Sequence, residues 1–373
     1  MKFYTLINIL KKKAKYNIIF GLRSNGKSYA VLEHALKKYL KTGAALAIIR
    51  RYREDFRGKR GQAMFSNLEC NGNGENIVLK LTKGRYDKII YNSSRWYLAK
   101  WDDETQKYIH DDEPFAYGFA LSEMEHDKST SYPRIAQGGT ILFDEFITRA
   151  AYLPDEFVLF MNCLSTICRH SSDVEIFLCA NTVSGAKYNP YFKEMGLTKV
   201  REMKPGEIQV YTYGNSGLKV AVEFCDVPSK GRPSDVLFAF DNPKLAMITG
   251  QGDVWELDIY PHITHPIEKE HIKFSYFIKF EDTILQADIV VNNTEKYTFI
   301  HQKTTPIKNE TKDVVFCLIP NEKYNYFISL LRPVNDITRK IITFFVANKV
   351  FYQSNDIGEI VNQYLNQCRK LLK

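Results

Sequence analysis

The chain has 373 residues, more than one ordinary domain requires and enough for two. Its residues are 45% hydrophobic and 25% charged, with no low-complexity tract or internal repeat, which is typical of a globular protein and excludes general disorder. No apolar run reaches the roughly eighteen residues that a membrane-spanning helix needs. The sequence therefore predicts a folded protein that does not cross a membrane.

The formal net charge of +8 favours a polyanionic partner, because clustered Lys and Arg release counterions when they meet phosphates. Ordinary solvated surface gives similar charge in many proteins of this size, so the charge alone does not decide. Seven cysteines form no C-x-x-C pair, which indicates neither a zinc site nor a disulfide framework and fits a reducing cytosol. The apolar run Phe3–Leu10 is followed by lysines, the wrong order for a secretory signal.

The first elements alternate strand and helix. Asn17–Phe20 is a short apolar run that ends at Gly21, and after Gly26 apolar residues recur at helical spacing up to Leu40. Thr42-Gly43 ends this predicted helix, and Ala44–Ile49 predicts a second buried strand, which leads into Arg50, Arg51 and Arg53. This order is typical of the beginning of a parallel α/β sheet.

From about Asp55 to Gln137 the pattern is irregular and indicates an insertion, with short strands predicted at Ile77–Leu81 and Lys88–Tyr91. Regular elements then return as a strand, a helix and another strand, at Gly139–Glu145, about Pro154–Cys168 and Val174–Asn181. Apolar strands that alternate with helices predict a Rossmann-like domain of class α/β.

The pattern of residues in the sequence changes beyond Tyr213. Pro228–Pro233 resembles a linker, and from about His262 the alternation in Phe274–Phe280 and Tyr297–Ile300 predicts paired strands, closed by helices that include Ile357–Leu372. We therefore expect a P-loop domain over 1–213, a linker or lid over 214–261 and a C-terminal α+β domain over 262–373.

Residues 21–28 match G-x-x-x-x-G-K-[ST] at every fixed position and lie between a predicted strand and a predicted helix, the context that this motif requires. Its backbone N–H groups would surround the β-phosphate of ATP, Lys27 would reach the β- and γ-phosphates, and Ser28 would ligate Mg²⁺. The predicted nucleotide-binding residues are Gly21, Arg23, Ser24, Asn25, Gly26, Lys27 and Ser28.

Four apolar residues lead into Asp144-Glu145, the pattern of a Walker B strand. The first carboxylate would hold the Mg²⁺ shell and the second, Glu145, would polarise the attacking water, which favours hydrolysis over transfer to a small acceptor. Asn181 ends the next strand and either orients that water or caps a turn. Arg169 ends the intervening helix and is either an arginine finger or a cation at a helix C-terminus.

A basic run opens the insertion with Arg53, Arg57, Lys59 and Arg60. One interpretation is contact with DNA phosphates, and the other is solvated loop charge. None of the four belongs to a nucleotide motif, so their neutralisation is expected to spare basal hydrolysis.

These residues together resemble the genome-packaging ATPases of small short-tailed phages, the picovirus-type, terminase-like motors. The likeness covers most of the chain and depends on blocks that keep close to the spacing of that family. They are the P-loop, Ile49–Tyr52, Lys128-Ser129 with Tyr132-Pro133, Phe143–Ile147, Arg169, Asn181 and Asn189–Phe192.

The resemblance implies an ASCE-type P-loop ATPase that forms a homopentameric ring at the portal of an empty capsid, in the cytoplasm of the infected host, with double-stranded DNA in its channel. Arg169 then matches a finger that acts on the neighbouring subunit, and Lys128 a second basic residue acting in trans. Whether a structural RNA joins motor and portal is left open.

The same resemblance implies an RNase H-like C-terminal domain that has lost its metal cluster. Glu281, Asp282, Asp288 and Asp336 are available there, but no spacing compels a two-metal site, so we expect no cleavage. The alternatives are a terminase with an active nuclease, a helicase loader, a small-molecule kinase, and a nucleotide-gated DNA-binding ring without turnover.

Overall fold

The structure, a computed structural model, describes residues 3–22, 25–123, 131–148, 152–169, 171, 173–181, 189–226, 260–263, 266–292, 295–308, 313–319, 327–328, 332 and 335–371. Arg23, Ser24, Lys128 and the predicted linker Pro228–Pro233 lie outside these ranges. Within them, no helix is both long enough and apolar enough to cross a lipid bilayer.

After a short helix that the sequence did not predict, the N-terminal part follows the predicted order of strand, helix and strand. Its elements are α1 (Ile7–Leu10), β1 (Tyr16–Gly21), α2 (Lys27–Thr42) and β2 (Leu46–Arg50). The apolar residues of β1 and β2 are buried because they are covered on both faces, as strands of a parallel sheet usually are. Gly43 ends α2 with φ of 75°, a left-handed conformation that glycine adopts without strain.

The insertion adds helices and strands to the same sheet. Its elements are α3 (Gly58–Ala63), α4 (Ser66–Glu69), α5 (Ile77–Leu81), β3 (Lys88–Asn92), β4 (Arg95–Asp102), β5 (Lys107–His110) and β6 (Ala116–Ala120). The predicted strand at Lys88–Tyr91 is confirmed. The one at Ile77–Leu81 is wrong, because the Asn76 side chain accepts a hydrogen bond from Leu79 N and starts a helix there.

The remaining elements complete the N-terminal part. They are α6 (Pro133–Ala136), β7 (Gln137–Asp144), α7 (Glu156–Cys168), β8 (Asp173–Asn181), α8 (Pro190–Glu194), β9 (Ile208–Tyr213) and β10 (Leu218–Phe224). Short 3-10 turns lie at Arg53–Phe56, Leu121–Glu123, Val200–Glu202, Gly214–Ser216 and, later in the chain, Lys269–His271.

Ten described strands form the first sheet in the order β3-β4-β6-β2-β7-β8-β1-β10-β9, with β5 paired to β4. Strands β6, β2, β7, β8, β1 and β10 run parallel to one another. One strand, β8, separates the P-loop strand β1 from the Asp-Glu strand β7. The predicted Rossmann-like α/β fold is confirmed.

The predicted domain boundary at 213 is too early. Strand β10 lies beyond it, yet β10 pairs in parallel with β1 from Tyr16↔Val220 to Phe20↔Phe224 and in antiparallel with β9. Val220, Val222 and Phe224 belong to the same core as β1. The P-loop domain therefore extends to at least Asp226, the last described residue before a gap.

The C-terminal part forms a second sheet with its own core. Its elements are β11 (Ile272–Phe280), β12 (Thr283–Val291), β13 (Lys296–Gln302), β14 (Val315–Phe316), β15 (Phe327–Ile328), α9 (Asp336–Val346), β16 (Val350–Tyr352) and α10 (Asn355–Lys370). The order is β15-β14-β11-β12-β13-β16. The first three strands are antiparallel neighbours, whereas β14 and β15 run parallel to β11, an arrangement in keeping with the expected RNase H-like α+β fold.

Polar contacts join the parts at two places among the described residues. Lys193 Nζ of α8 lies 2.9 Å from Asp282 Oδ2 in the β11–β12 turn. Gln367 Nε2 of α10 donates to Tyr152 O at 2.7 Å, just before α7. The C-terminal helix therefore contacts the segment that leads from β7 into α7.

The revised boundary can be tested with two fragments. We expect fragment 1–226 to unfold cooperatively on heating, because β1 keeps both of its neighbours. Fragment 1–213 lacks β10 and leaves the apolar strand β1 without a partner on one side, so it should melt broadly or aggregate. Far-UV circular dichroism during thermal unfolding measures both. Equal, cooperative melting of the two fragments would contradict the role given to β10.

Candidate active site

The candidate site lies where four neighbouring parallel strands end. Strands β1, β8, β7 and β2 terminate at one edge of the sheet, with Gly21 paired to Asn181 and Asp144 paired to Cys179. In open α/β sheets this carboxyl edge is where ligands bind. The predicted P-loop, Asp144, Glu145 and Asn181 are thereby brought together by the fold.

The described partners of the P-loop lysine are oxygen atoms. Lys27 Nζ donates to Leu22 O at 2.7 Å, Asn25 Oδ1 at 2.9 Å, Gly21 O at 3.2 Å and Asn181 Oδ1 at 3.3 Å. Lys27 is 5% exposed, so its ammonium group is directed into the loop and not into solvent. Gly26 has φ of 93°, and a Cβ there would meet Phe3 at 3.3 Å, which explains the need for glycine.

The predicted metal ligands are in direct contact. Ser28 Oγ donates to Asp144 Oδ1 at 2.6 Å, across 116 positions of sequence. The other oxygen, Asp144 Oδ2, accepts from Arg50 Nη2 at 2.6 Å, and Arg50 Nη1 also donates to Glu145 Oε2 at 2.7 Å. One guanidinium at the end of β2 therefore orients both carboxylates.

Glu145 has an unusual backbone. Its φ is 61°, a left-handed conformation that is uncommon for a residue with a side chain, and its N–H donates to Cys179 O at 2.8 Å. The turn directs the Glu145 side chain outward, where it is 64% exposed and accessible to water. A carboxylate in this position can accept a proton from a water molecule.

Beneath these residues is a buried ion pair that the sequence did not predict. Arg51 is 6% exposed and Glu156 2% exposed, and two hydrogen bonds of 2.6 and 2.8 Å join them. Arg51 Nη2 also donates to Phe146 O at 2.8 Å, and Tyr191 OH donates to Glu156 Oε1 at 2.8 Å. Burial together with the adjacent Glu156 carboxylate raises the pKa of Tyr191 well above its usual value. The network ties the turn after Asp144 to α7 and α8.

Two cavities flank Ser28 and Tyr29. One of about 380 Å³ is lined by Ser28, Arg50, Arg60 and Asp144 among others. The second, about 410 Å³, extends along the P-loop between the N-terminal segment and the loop after α4. Its lining residues are Phe3, Asn25, Gly26, Lys27, Ser28, Tyr29, Asn67, Asn71, Gly72, Asn73 and Asn181.

Arg169 lies far from this edge. It ends α7 and precedes β8, whose opposite end carries Asn181. The eight residue steps from Asp173 to Asn181 span about 26 Å at the rise of an extended strand. The side chain is exposed at the amino edge of the sheet and cannot reach Lys27 of its own chain.

The basic run is divided between surfaces. Arg53 pairs with Glu123 at 3.0 Å and lines a separate cavity, and Arg57 lies 3.7 Å from Glu54. Lys59 is exposed. Arg60 lines the cavity that contains Ser28 and Asp144, which the other three residues do not.

The four C-terminal carboxylates are not brought together within the described residues. Glu281 and Asp282 lie in a turn near Lys193, and Asp336 pairs with Arg339. Asp288 is buried and accepts hydrogen bonds from Ser275 and Gln286 and contacts His301 Nε2 at 3.0 Å. Burial raises the pKa of this carboxyl, but the bonds from His301, Gln286 and Ser275 outweigh it and lower the pKa below its usual value. Its oxygens are thus already occupied by protein groups.

A family model described as the Podovirus DNA encapsidation protein (Gp16) matches residues 1–211. The chain belongs to this family. The match covers the P-loop, both carboxylates, Arg169 and Asn181. Three site residues that the sequence analysis did not assign also lie within this range. They are Arg50, which contacts both carboxylates, and the buried pair Arg51 and Glu156. Their only signal in the sequence was the Arg50-Arg51 dipeptide, which is part of the family likeness.

The chain is similar to the DNA packaging proteins of two Bacillus phages. It is 27% identical to that of phage B103 over 184 residues, 48% of each chain, and 26% identical to that of phage phi29 over 193 residues, 51% of this chain and 49% of the relative. It thus spans about half the length of the curated relatives it matches.

Two solved structures share the fold over nearly the whole chain. One, of the bacteriophage Phi-29 viral genome packaging motor assembly, has a TM-score of 0.57 at 19% identity and covers 98% of this chain and 99% of the other. The second, the Phi-28 gp11 DNA packaging motor, has a TM-score of 0.51 at 19% identity and covers 98% of both chains. At this identity the likeness concerns fold, and it includes the C-terminal part.

The buried pair predicts a non-additive mutational pattern. Glu156→Gln should destabilise the P-loop domain by about 3–5 kcal/mol, because it leaves the Arg51 guanidinium buried without its counter-charge. The double variant Arg51→Met/Glu156→Leu should lose much less than the sum of the single variants. Urea unfolding followed by circular dichroism measures the free energies, with the exposed Glu54→Gln as control. Additive losses would show that the two charges do not depend on each other.

Proposed function

We propose that the protein is an ATP-hydrolysing motor that drives double-stranded viral DNA into a preformed capsid. The observation that carries the proposal is the convergence of Lys27, Ser28, Asp144 and Glu145 at one sheet edge, with Ser28 Oγ 2.6 Å from Asp144 Oδ1. Membership of the DNA encapsidation family supports the link between this site and packaging.

The donor set fits magnesium. Ser28 and Asp144 present oxygen atoms side by side, and Mg²⁺ binds few protein oxygens while it keeps several waters. When bound there with a nucleotide, the ion neutralises charge on the β- and γ-phosphates. Ser28 and Asp144 would hold it, and Arg50 would remain as the cation that orients Asp144.

The second cavity supports ATP as the nucleotide. Phe3 forms one wall between Gly26 and Gly72 and is 38% exposed, so its ring is available for stacking on a base. Asn67 and Asn73 line the same cavity, and asparagine can pair with the donor and acceptor edge of adenine. Tyr4 holds this segment in place through Tyr4 N to Asn25 O and through its hydroxyl to Glu223.

Hydrolysis requires an activated water beside the γ-phosphate. Glu145 would accept a proton from that water, and Asn181, whose Oδ1 already faces Lys27, would orient it. Lys27 would exchange its present carbonyl partners for the β- and γ-phosphates. Arg23 and Ser24 complete the proposed phosphate loop from the sequence alone.

The distance of Arg169 from its own P-loop supports a role in a neighbouring subunit. In a ring, the amino edge of one sheet can face the carboxyl edge of the next, which would place the guanidinium on the adjacent γ-phosphate. Lys128 is proposed as a second trans-acting group. We propose a homopentameric ring at the capsid portal, in the infected host cell; the use of a structural RNA stays open.

The DNA contact is proposed for Arg53, Arg57 and Lys59, which are exposed at the start of the insertion. A motor must hold any sequence, and contacts to phosphates meet that need without reading bases. An active nuclease is the less favoured alternative, because the described C-terminal carboxylates lie apart and Asp288 is enclosed by protein donors.

Three variants test hydrolysis at this site. Lys27→Ala and Asp144→Ala should abolish productive Mg-ATP binding, since they remove the phosphate and metal contacts. Glu145→Gln should still bind ATP but turn it over very slowly. Steady-state phosphate release with and without duplex DNA, together with nucleotide affinity, separates these effects; Glu104→Gln, at an exposed residue between β4 and β5, is the control. Turnover of Glu145→Gln near the wild-type rate would exclude Glu145 as the base.

Subunit coupling is tested by mixing. Arg169→Ala should bind ATP yet lose hydrolysis, and so should Glu145→Gln, but for different reasons. Assemblies that contain both variants should regain part of the activity, because some interfaces then join an intact Arg169 to an intact Glu145. The phosphate-release rate is measured against the mixing ratio. No recovery in an assembly of verified mixed composition would remove the role in trans.

A further inference from the structure

The cavity beside Ser28 contains a cation that no nucleotide motif includes. Arg60 of α3 lines this space of about 380 Å³ together with Ser28, Arg50 and Asp144. The P-loop, the proposed metal ligands and Arg60 therefore share one solvent-accessible volume, and the γ-phosphate of a bound nucleotide would lie next to it.

The backbone of α3 fixes Arg60 in this position. Trp96 Nε1, fully buried, donates to Gly61 O at 2.8 Å, and the Tyr91 ring packs so closely on Gly61 that a Cβ there would come within 2.5 Å of Tyr91 Cζ. Tyr91 OH also donates to Phe56 O, at the start of the same segment. Because the residue next to Arg60 is clamped, the backbone that carries this side chain does not have to be ordered when a ligand binds.

Arg60 differs from Arg53 and Arg57 in its lack of an ion-pair partner among the described residues. Arg53 contacts Glu123, and Arg57 lies near Glu54. Within the part of the chain that the structure describes, Arg60 has no carboxylate at ion-pair distance, although Asp55 and Asp144 line the same cavity. An exposed guanidinium beside the metal ligands fits an anionic group, and planar donors of this kind match phosphate oxygens well.

We infer that Arg60 is a catalytic residue of the same subunit, which donates hydrogen bonds to the γ-phosphate during hydrolysis. The inference rests on the proposed function. Water adds to the γ-phosphorus and gives its proton to Glu145, the bond from that phosphorus to the bridging oxygen breaks, and ADP leaves with the electron pair. Arg60 keeps its protons and stabilises the charge that gathers on the phosphoryl oxygens. This assigns Arg60 to the nucleotide and not to DNA.

The test uses the full chain with Arg60→Ala and Arg60→Lys. Arg60→Ala should lower the single-turnover hydrolysis rate about a hundredfold to a thousandfold, as the loss of one transition-state donor does, and change ATP affinity much less. Arg60→Lys keeps the charge and should regain part of the rate. Affinity for a random-sequence duplex at fixed salt should stay at the wild-type value for both.

The matched control is Arg85→Ala, which removes an exposed arginine from the same insertion without touching either cavity. Hydrolysis by Arg60→Ala at the rate of Arg85→Ala would overturn the inference, as would a loss of duplex affinity with hydrolysis intact. Lys27→Ala is measured in parallel: if it hydrolyses ATP like the wild type, the proposed function itself fails. Thermal unfolding of each variant separates a chemical effect from a folding defect.

Discussion

The candidate site depends on one constraint, the parallel pairing of four neighbouring strands that end at the same edge. Ser28 and Asp144 are separated by 116 positions, yet they meet at 2.6 Å because β1 and β7 run in the same direction with β8 between them. The pairing of Gly21 with Asn181 places the amide beside Lys27 for the same reason. A slip of one residue in either pairing would turn these side chains to the other face of the sheet.

A second layer of buried polar groups supports that edge. Arg51 connects the turn after Asp144 with Glu156 at the start of α7, and Tyr191 of α8 completes the network. Two blocks of the family likeness, Ile49–Tyr52 and Asn189–Phe192, therefore meet in space around one carboxylate. Glu145 lies directly above this network. Contacts to a carbonyl and to the Arg51 guanidinium hold its backbone in a left-handed conformation that a residue with a side chain rarely adopts.

The two parts of the chain meet close to this network. Gln367 of the C-terminal helix bonds to the carbonyl of Tyr152, and the Tyr152 ring lies 5.2 Å from the Arg51 guanidinium carbon. A continuous series of contacts therefore leads from α10 through Tyr152 and Arg51 to the turn that carries Glu145. The insertion lines both cavities beside Ser28: α3 supplies Arg60 to one of them, and α4 supplies Asn67 to both.

The sequence by itself determined the P-loop, the strand that ends in Asp144-Glu145 and the alternation of strands and helices, because each has a local signal in spacing or periodicity. Only the tertiary structure decided the rest. Ile77–Leu81 is a helix because Asn76 caps it, and β10 belongs to the first domain because β1 needs a second neighbour. Whether an arginine lies beside a carboxylate, beside the P-loop or in solvent depends on how α3 and β2 pack. No local pattern in the sequence distinguishes the surroundings of Arg50, Arg51 and Arg60.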